Sequence, residues 1–250
     1  PMPQPLILIT NDDGVYSPGI DALFRALDPV AEVWVFAPDR ERSAVGHGIS
    51  LHLPLRVKQQ RERWFMVDGT PADCVLLAIR RLLGRRPDLV VSGINNGANL
   101  GDDVTYSGTV AGAREAMLLG VPSIAVSDVS FNPQHWDTAG TMAAKISQYV
   151  LEHGLPPETI LNVNVPDVPL NQIQGISVTR MGRRIYEDEV LERIDPRGVP
   201  YYWIGGAAQD HPFDTGTDLE AVAHNRVSVT PLKRDYTHYD LLPTLDGITL

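Results

Sequence analysis

Two adjacent carboxylates, Asp12 and Asp13, stand between Asn11 and Gly14, directly after the apolar run Leu6-Ile7-Leu8-Ile9-Thr10. Two such charges side by side are costly unless something positive neutralises them. A hard divalent cation with oxygen ligands does so, and Gly14 permits a backbone turn that aims both carboxylates at one point. Asn, Asp and Gly are also ordinary turn formers. Taken alone, the segment therefore supports two readings, a turn leading into a helix or half of a metal site. A second group, Asp39-Arg40-Glu41-Arg42-Ser43-Ala44-Val45-Gly46-His47-Gly48, follows another apolar run. Its charges are those of a solvated loop. Ser43 could offer an oxygen to a cation. His47 could be a general acid or base or simply a loop histidine, the reading favoured here, and it is not counted as a ligand because imidazole seldom joins an all-oxygen shell.

The third group runs from Ser92-Gly93-Ile94-Asn95-Asn96-Gly97 to Asp102-Asp103. Its glycines let bare backbone N–H groups approach a ligand, and its asparagines offer amide oxygens to a cation. Structureless stretches of this length inside α/β units are uncommon and often functional. The fourth is Tyr106-Ser107-Gly108-Thr109, ahead of Ala111-Gly112-Ala113. A helix opening there is either a ready anion site or an ordinary Ser/Thr cap. Together the groups supply carboxylates for a metal and N–H donors for a phosphate, which suggests metal-assisted hydrolysis of a phosphate ester. The G-x-x-x-x-G-K-[ST], G-x-S-x-G and H-E-x-x-H motifs are absent, as is G-x-G-x-x-G after the first apolar run. Asn11-x-Asp13 also lacks the first carboxylate of a D-x-D phosphatase.

The elements that must hold these groups follow from periodicity. Leu6 to Thr10 suits a strand buried on both faces. Ser17-Pro18 reads as an N-cap with proline at the first helical position, and Ile20, Leu23, Phe24 and Leu27 form one helix face. Val33 to Phe36, Trp64 to Val67, Asp88 to Ser92, Pro122 to Ser127 and Ile160 to Val165 read as further strands. Helices are expected after the Thr70-Pro71-Ala72-Asp73 capping box, over 109–119 and around Met142 to Val150. Alternating strands and helices indicate a mostly parallel sheet covered on both faces. Ile49, Leu51, Leu53, Leu55 and Val57 alternate as a strand or hairpin would. Beyond residue 170, Val178, Ile185 to Val190 and Tyr201 to Ile204 are strand candidates around the turn signal Pro196 to Pro200. Residues 210–217 read as a loop and 218–224 as a short helix. A projecting hairpin with a Tyr-Tyr-Trp patch buries little on its own and suits packing on a second subunit.

Composition sets the bounds. The 250 residues are 43% hydrophobic and 21% charged, ordinary for a globular chain. The expectation is one unit over 1–250, with a core over about 6–170 and a C-terminal extension over about 171–250. A net charge of −10 argues against nucleic-acid polymers and anionic membranes as partners. The lone Cys74 allows no intrachain disulfide and fits a cytoplasmic location. No apolar run reaches the roughly 18 residues of a membrane span, and the first residues lack a signal peptide's charged and apolar regions.

Four blocks carry a resemblance. Ile9-Thr10-Asn11-Asp12-Asp13-Gly14, Ala37-Pro38-Asp39-Arg40 with Arg42-Ser43-Ala44, Val91-Ser92-Gly93-Ile94-Asn95 through Gly101-Asp102-Asp103, and Tyr106-Ser107-Gly108-Thr109-Val110 resemble the survival protein SurE family in order and approximate spacing. The resemblance covers residues 6 to 128. It implies a three-layer α/β/α sandwich with a Rossmann-like, mostly parallel sheet and a C-terminal extension carrying a projecting β-hairpin. It implies a metal-dependent 5'/3'-nucleotidase and acid phosphatase acting on nucleoside monophosphates, with polyphosphate as a further substrate. One cation per subunit, Mg²⁺ or Mn²⁺, would be held by Asp12, Asp13, Ser43 and Asn95. Asn96, Ser107, Gly108 and Thr109 would hold the phosphate. Asp12, Asp13 and Asn95 would be catalytic, with Asp12 the choice for general base. Dimers or tetramers would form through the C-terminal segments. The rival reading is a non-catalytic sensor that binds nucleotide in the same cradle without releasing phosphate.

Overall fold

A computed structural model describes residues 4–184, 189–205 and 213–248. Leu6–Thr10 (β1) is buried at every position. Its side chains alternate between two cores, Ile7 and Ile9 entering one and Leu8 the other, as a strand between two helical layers must. Pro18–Leu27 (α1) starts where Ser17 Oγ accepts the Ile20 N–H at 3.3 Å. Glu32–Pro38 (β2), Val57–Arg61 (β3) and Trp64–Val67 (β4) follow. Pro71–Leu77 (α2) opens on the expected capping box: the Asp73 N–H donates to Thr70 Oγ1 at 3.1 Å, and the Thr70 N–H donates to Asp73 Oδ2 at 2.9 Å. Its last turn, Ala78–Leu82, is π-helical. Then come Leu89–Asn96 (β5), Gly108–Leu118 (α3), Ser123–Asp128 (β6), Trp136–His153 (α4) and Thr159–Val165 (β7). Ile176–Val178 (β8), Glu189–Ile194 (β9), Pro200–Gly205 (β10), Asp218–Ala223 (α5) and Val227–Lys233 (β11) complete the set.

Among the described residues the main sheet has nine strands in the order β3-β4-β2-β1-β5-β6-β7-β11-β8. The parallel run β4-β2-β1-β5-β6-β7 has the 3-2-1-4-5-6 order of a doubly wound dinucleotide fold. Helices α1 and α4 pack together on one face, with Ile20, Leu23, Leu27, Met142 and Ile146 against Ile7, Ile9, Val33, Val35 and Val91. Helices α2 and α3 cover the other, with Cys74, Val75 and Ala116 against Leu8, Phe36 and Val90. The expected three layers are therefore present. Strands β9 and β10 form a separate antiparallel hairpin.

Three details differ from expectation, and two expectations fall partly outside the described residues. Strand β5 continues through Asn96, because after a register shift Asn95 pairs with Ser127 and Asn96 with Asp128; these asparagines end a strand and do not begin a loop. The stretch from Ile49 to Leu55 is irregular, with Leu51 and Leu53 exposed. Alternation alone makes no strand without a neighbour to pair with. Val227–Lys233, not expected as a strand, lies antiparallel to β7 and carries β8 parallel on its other edge, so the last third of the chain extends the main sheet. Of the strand expected over Ile185 to Val190, residues 185–188 lie outside the described residues, as do residues 210–212 of the expected loop.

Candidate active site

Strands β1 and β5 are neighbours, with Thr10 opposite Ser92. The chain winds one way from β1, through α1 to β2, and the other way from β5, through α3 to β6. Such a switch point opens a crevice at the carboxyl ends of the two strands. The first and third residue groups both fall at this crevice.

Asn11 builds the turn after β1. Its buried amide donates to Gly14 O at 3.0 Å and to Ser17 Oγ at 2.7 Å, while its Oδ1 accepts the Gly14 N–H at 3.2 Å. Gly14 has φ 99°, and a Cβ there would lie 3.2 Å from the Arg40 carbonyl carbon. The turn reading of this segment is observed, and the turn carries both carboxylates. Asp12 is buried. Its Oδ1 accepts the Thr109 hydroxyl at the start of α3, and its carbonyl accepts the Arg42 N–H at 2.7 Å. Asp13 Oδ2 accepts the Asn96 N–H at 3.1 Å. Gly108 is required here, because a Cβ would sit 2.8 Å from Asp12 Oδ2. Gly112, one turn on, lets α3 approach Ser92 and Thr10 closely.

The electrostatics follow from burial. Desolvation pushes the Asp12 carboxyl up, against the pull of the Thr109 hydroxyl and backbone. Desolvation, then the charge of Asp12, pushes Asp13 up to about 7. Glu41 adds negative charge toward both. Among the described residues neither carboxylate takes part in an ion pair. No group of three or more His, Cys, Asp or Glu side chains suited to a metal occurs among those residues. A cation here would need neutral oxygens beside the two carboxylates. Asn95 fits, since its Nδ2 is engaged with Gly97 O at 2.7 Å, which leaves the amide oxygen as the available donor. Ser43 is held nearby by the Arg42–Asp12 contact, but its hydroxyl donates to Glu41 at 2.7 Å. The oxygen donors present suit a hard divalent ion.

At the helix start, Ser107 Oγ accepts the Val110 N–H at 3.0 Å as the N-cap. Asp12, Gly108 and Thr109 are therefore in direct contact, Asp13 and Asn96 are linked, and Asn95 adjoins them. His47 meets Glu115 of α3 at 2.9 Å, which ties its loop to that helix. Sequence reasoning missed Glu41 as an electrostatic neighbour. It also missed Tyr16, Asn132, Pro133 and Trp136, which join Asp13 and Asn96 in lining a cleft of about 430 Å³. The signal available for the last three was their position after a parallel strand, β6.

Fold and site define a class: a Rossmann-like α/β protein with two adjacent carboxylates, one of them buried against a helix N-terminus, at the switch point of its sheet. Known proteins narrow this. The sequence model of the family described as Survival protein SurE matches residues 7–188. A protein of Geobacter metallireducens named 5'-nucleotidase SurE is 53% identical over 240 residues, covering 96% of this chain and 95% of the relative. A Legionella pneumophila protein of the same name is 50% identical over 242 residues, covering 97% and 96%. The crystal structure of the SurE protein from Aquifex aeolicus superimposes with a TM-score of 0.87 at 46% identity, over 96% of this chain and 98% of that one. The chain belongs to the survival protein SurE family.

Proposed function

We propose that this chain is a divalent-cation-dependent phosphomonoesterase that hydrolyses nucleoside 5'- and 3'-monophosphates to nucleoside and phosphate. The observation that carries the reading is the adjacent carboxylates Asp12 and Asp13, without a cationic partner among the described residues, with the buried Asp12 in contact with the first residues of α3 and Asp13 bonded to Asn96. The nucleotidase names of relatives that align along nearly the whole chain support it. Asp12, Asp13, Ser43 and Asn95 would hold Mg²⁺ or Mn²⁺, Ser43 by turning its hydroxyl from Glu41. When bound, the ion supplies positive charge for the phosphoryl oxygens and favours deprotonation of water. Gly108 and Thr109 orient the phosphate at the helix N-terminus, Ser107 and Asn96 flank it, and Asp12 accepts the proton of the attacking water. The whole of 1–250 acts as one unit, in the cytoplasm, in keeping with the buried, unpaired Cys74.

The chain works as a dimer or tetramer on this reading. The β9–β10 hairpin leaves Tyr201, Tyr202, Trp203 and Ile204 exposed, so both faces of the ribbon are open. A two-stranded ribbon is marginal alone, and a second copy would cover it. Among the described residues no helix is long and apolar enough to cross a membrane.

The test is phosphate release from a panel of nucleoside monophosphates with Mg²⁺, Mn²⁺ or EDTA, beside Asp13→Asn. Release that requires the cation and falls at least about a hundredfold in the variant supports the enzyme. Nucleotide binding without release from any substrate rejects it.

A further inference from the structure

We propose that the cleft beside Asp13 is a nucleoside subsite, in which the planar base stacks on Tyr16 and lies against Pro133 and Trp136. The inference rests on the nucleotidase reading and adds how the non-reacting part of the substrate is bound. The cleft of about 430 Å³ is lined by Asp13 and Asn96 together with Tyr16, Asn132, Pro133 and Trp136. That volume is in the range of small-molecule sites.

Tyr16 is one wall of the cleft. The residue is 73% exposed, an aromatic side chain left in water beside an acidic pair. It is not loose, because its hydroxyl donates to Gln60 Oε1 at 2.8 Å. An aromatic already held in place loses little freedom when a ligand covers it. The same turn carries Tyr16 and the carboxylates: Asn11 bonds to Gly14 and Ser17 on either side of Tyr16, and the Val15 N–H donates to Pro38 O at 2.9 Å. The separation of the stacking wall from Asp13 is therefore set by one rigid piece of backbone.

Two charged groups of the cleft are engaged elsewhere. Arg40 pairs with Asp39 at 3.2 Å, and Glu41 accepts the Ser43 hydroxyl. Stacking accepts any base, since each has a π-face. The subsite thus selects nucleosides over other phosphate esters and tolerates purines and pyrimidines alike.

The test compares AMP and CMP with ribose 5-phosphate in wild type, Tyr16→Ala and Tyr16→Phe, and measures adenosine binding in EDTA by calorimetry. Tyr16→Ala is expected to raise KM for both nucleotides about tenfold, the loss expected of one base–aromatic stack. KM for ribose 5-phosphate should move less than about twofold, and Tyr16→Phe should restore nucleotide KM to within about threefold of wild type. Adenosine binding should weaken in parallel. Equal changes for nucleotide and sugar phosphate, or no change for either, overturn the subsite. Wild type that binds adenosine through Tyr16 but releases phosphate from no substrate upholds the subsite and rejects the nucleotidase reading.

Discussion

At the scale of single residues, Gly108 and Asp128 show what burial does to a site. Gly108 exists to leave room for the Asp12 carboxylate, 2.8 Å from where a Cβ would stand. Gly108→Ala must push Asp12 or the helix start aside by several tenths of an ångström. Turnover should drop at least about a hundredfold, since small misplacements of reacting groups cost that much, while circular dichroism stays native. A variant with full activity would show that Asp12 need not touch α3. Asp128 is fully buried, with Oδ1 accepting the Ser130 N–H and Oδ2 without a partner. Desolvation pushes its carboxyl up to about 7; Asp167 adds to this, and Ser130 and His135 oppose it. The folded state thus binds this proton more tightly than the unfolded chain, where Asp titrates near 3.9. The stabilisation is complete below about pH 4 and is lost as pH rises through about 7, a range worth up to about 4 kcal/mol. Asp128→Asn should flatten the fall in urea midpoint between pH 5 and 8. Part of the slope should remain, because Asp13 is also pushed up to about 7. An unchanged slope would remove Asp128 from the account.

At the scale of elements, caps and cross-strand ties keep the site's supports in register. Thr70→Ala removes half of the α2 capping box and should cost about 1 kcal/mol, read as a lower urea midpoint with KM unchanged. The loop after β5 is held more tightly. The Asn99 N–H donates to Asn164 Oδ1 at 2.8 Å, its side chain donates to Ser127 at 2.7 Å, and its carbonyl accepts from Asn162 at 2.8 Å. Asn164→Leu would leave the buried Asn99 N–H unpaired and should destabilise by about 1–3 kcal/mol; a neutral outcome would show that water replaces the tie. The sequence was a good guide wherever local chemistry sets the outcome. Ser17-Pro18, Thr70 with Asp73, and Ser107 each cap the helix they were expected to begin. It was a poor guide where pairing partners are distant. Asn95 and Asn96 look like loop residues until Ser127 and Asp128 are beside them. Ile49 to Leu55 look like a strand until no neighbour is found. Asp12 and Asp13 were legible because their types are costly together. Tyr16 and Trp136 were not, because a single aromatic residue carries no spacing signal.

At the scale of the molecule, a charge of −10 surrounds a site expected to take an anion. On the proposed reading a cation and the helix N-terminus supply the local attraction. A cation that binds only the folded state raises stability by RT ln(1 + [L]/Kd). Mn²⁺ at about a hundred times its dissociation constant should thus add about 2.7 kcal/mol and raise Tm, and Asp13→Asn should abolish the rise. The hairpin makes a separate prediction. Trp203→Glu should shift light-scattering mass toward the 27.5 kDa protomer, and unchanged mass would dissociate β10 from assembly.

The insertion of β11 beside β7 also bears on how the chain is made. Every residue assigned here to the cation or the phosphate lies at or before Thr109, so the ribosome delivers them early. The Asn99 backbone, however, waits for Asn162 and Asn164, and the Gly101 N–H waits for Asp218, its acceptor at 2.9 Å. Until Val227–Lys233 arrives, β7 is an open edge of the sheet, the kind of surface that recruits strands from other chains. A nascent chain halted between Val165 and Asp218 would hold all its proposed chemistry while the loop after β5 still lacks its tie to Asp218 and the β7 edge is not yet closed. The order of synthesis thus makes the C-terminal third the step that turns a collection of correct residues into a site.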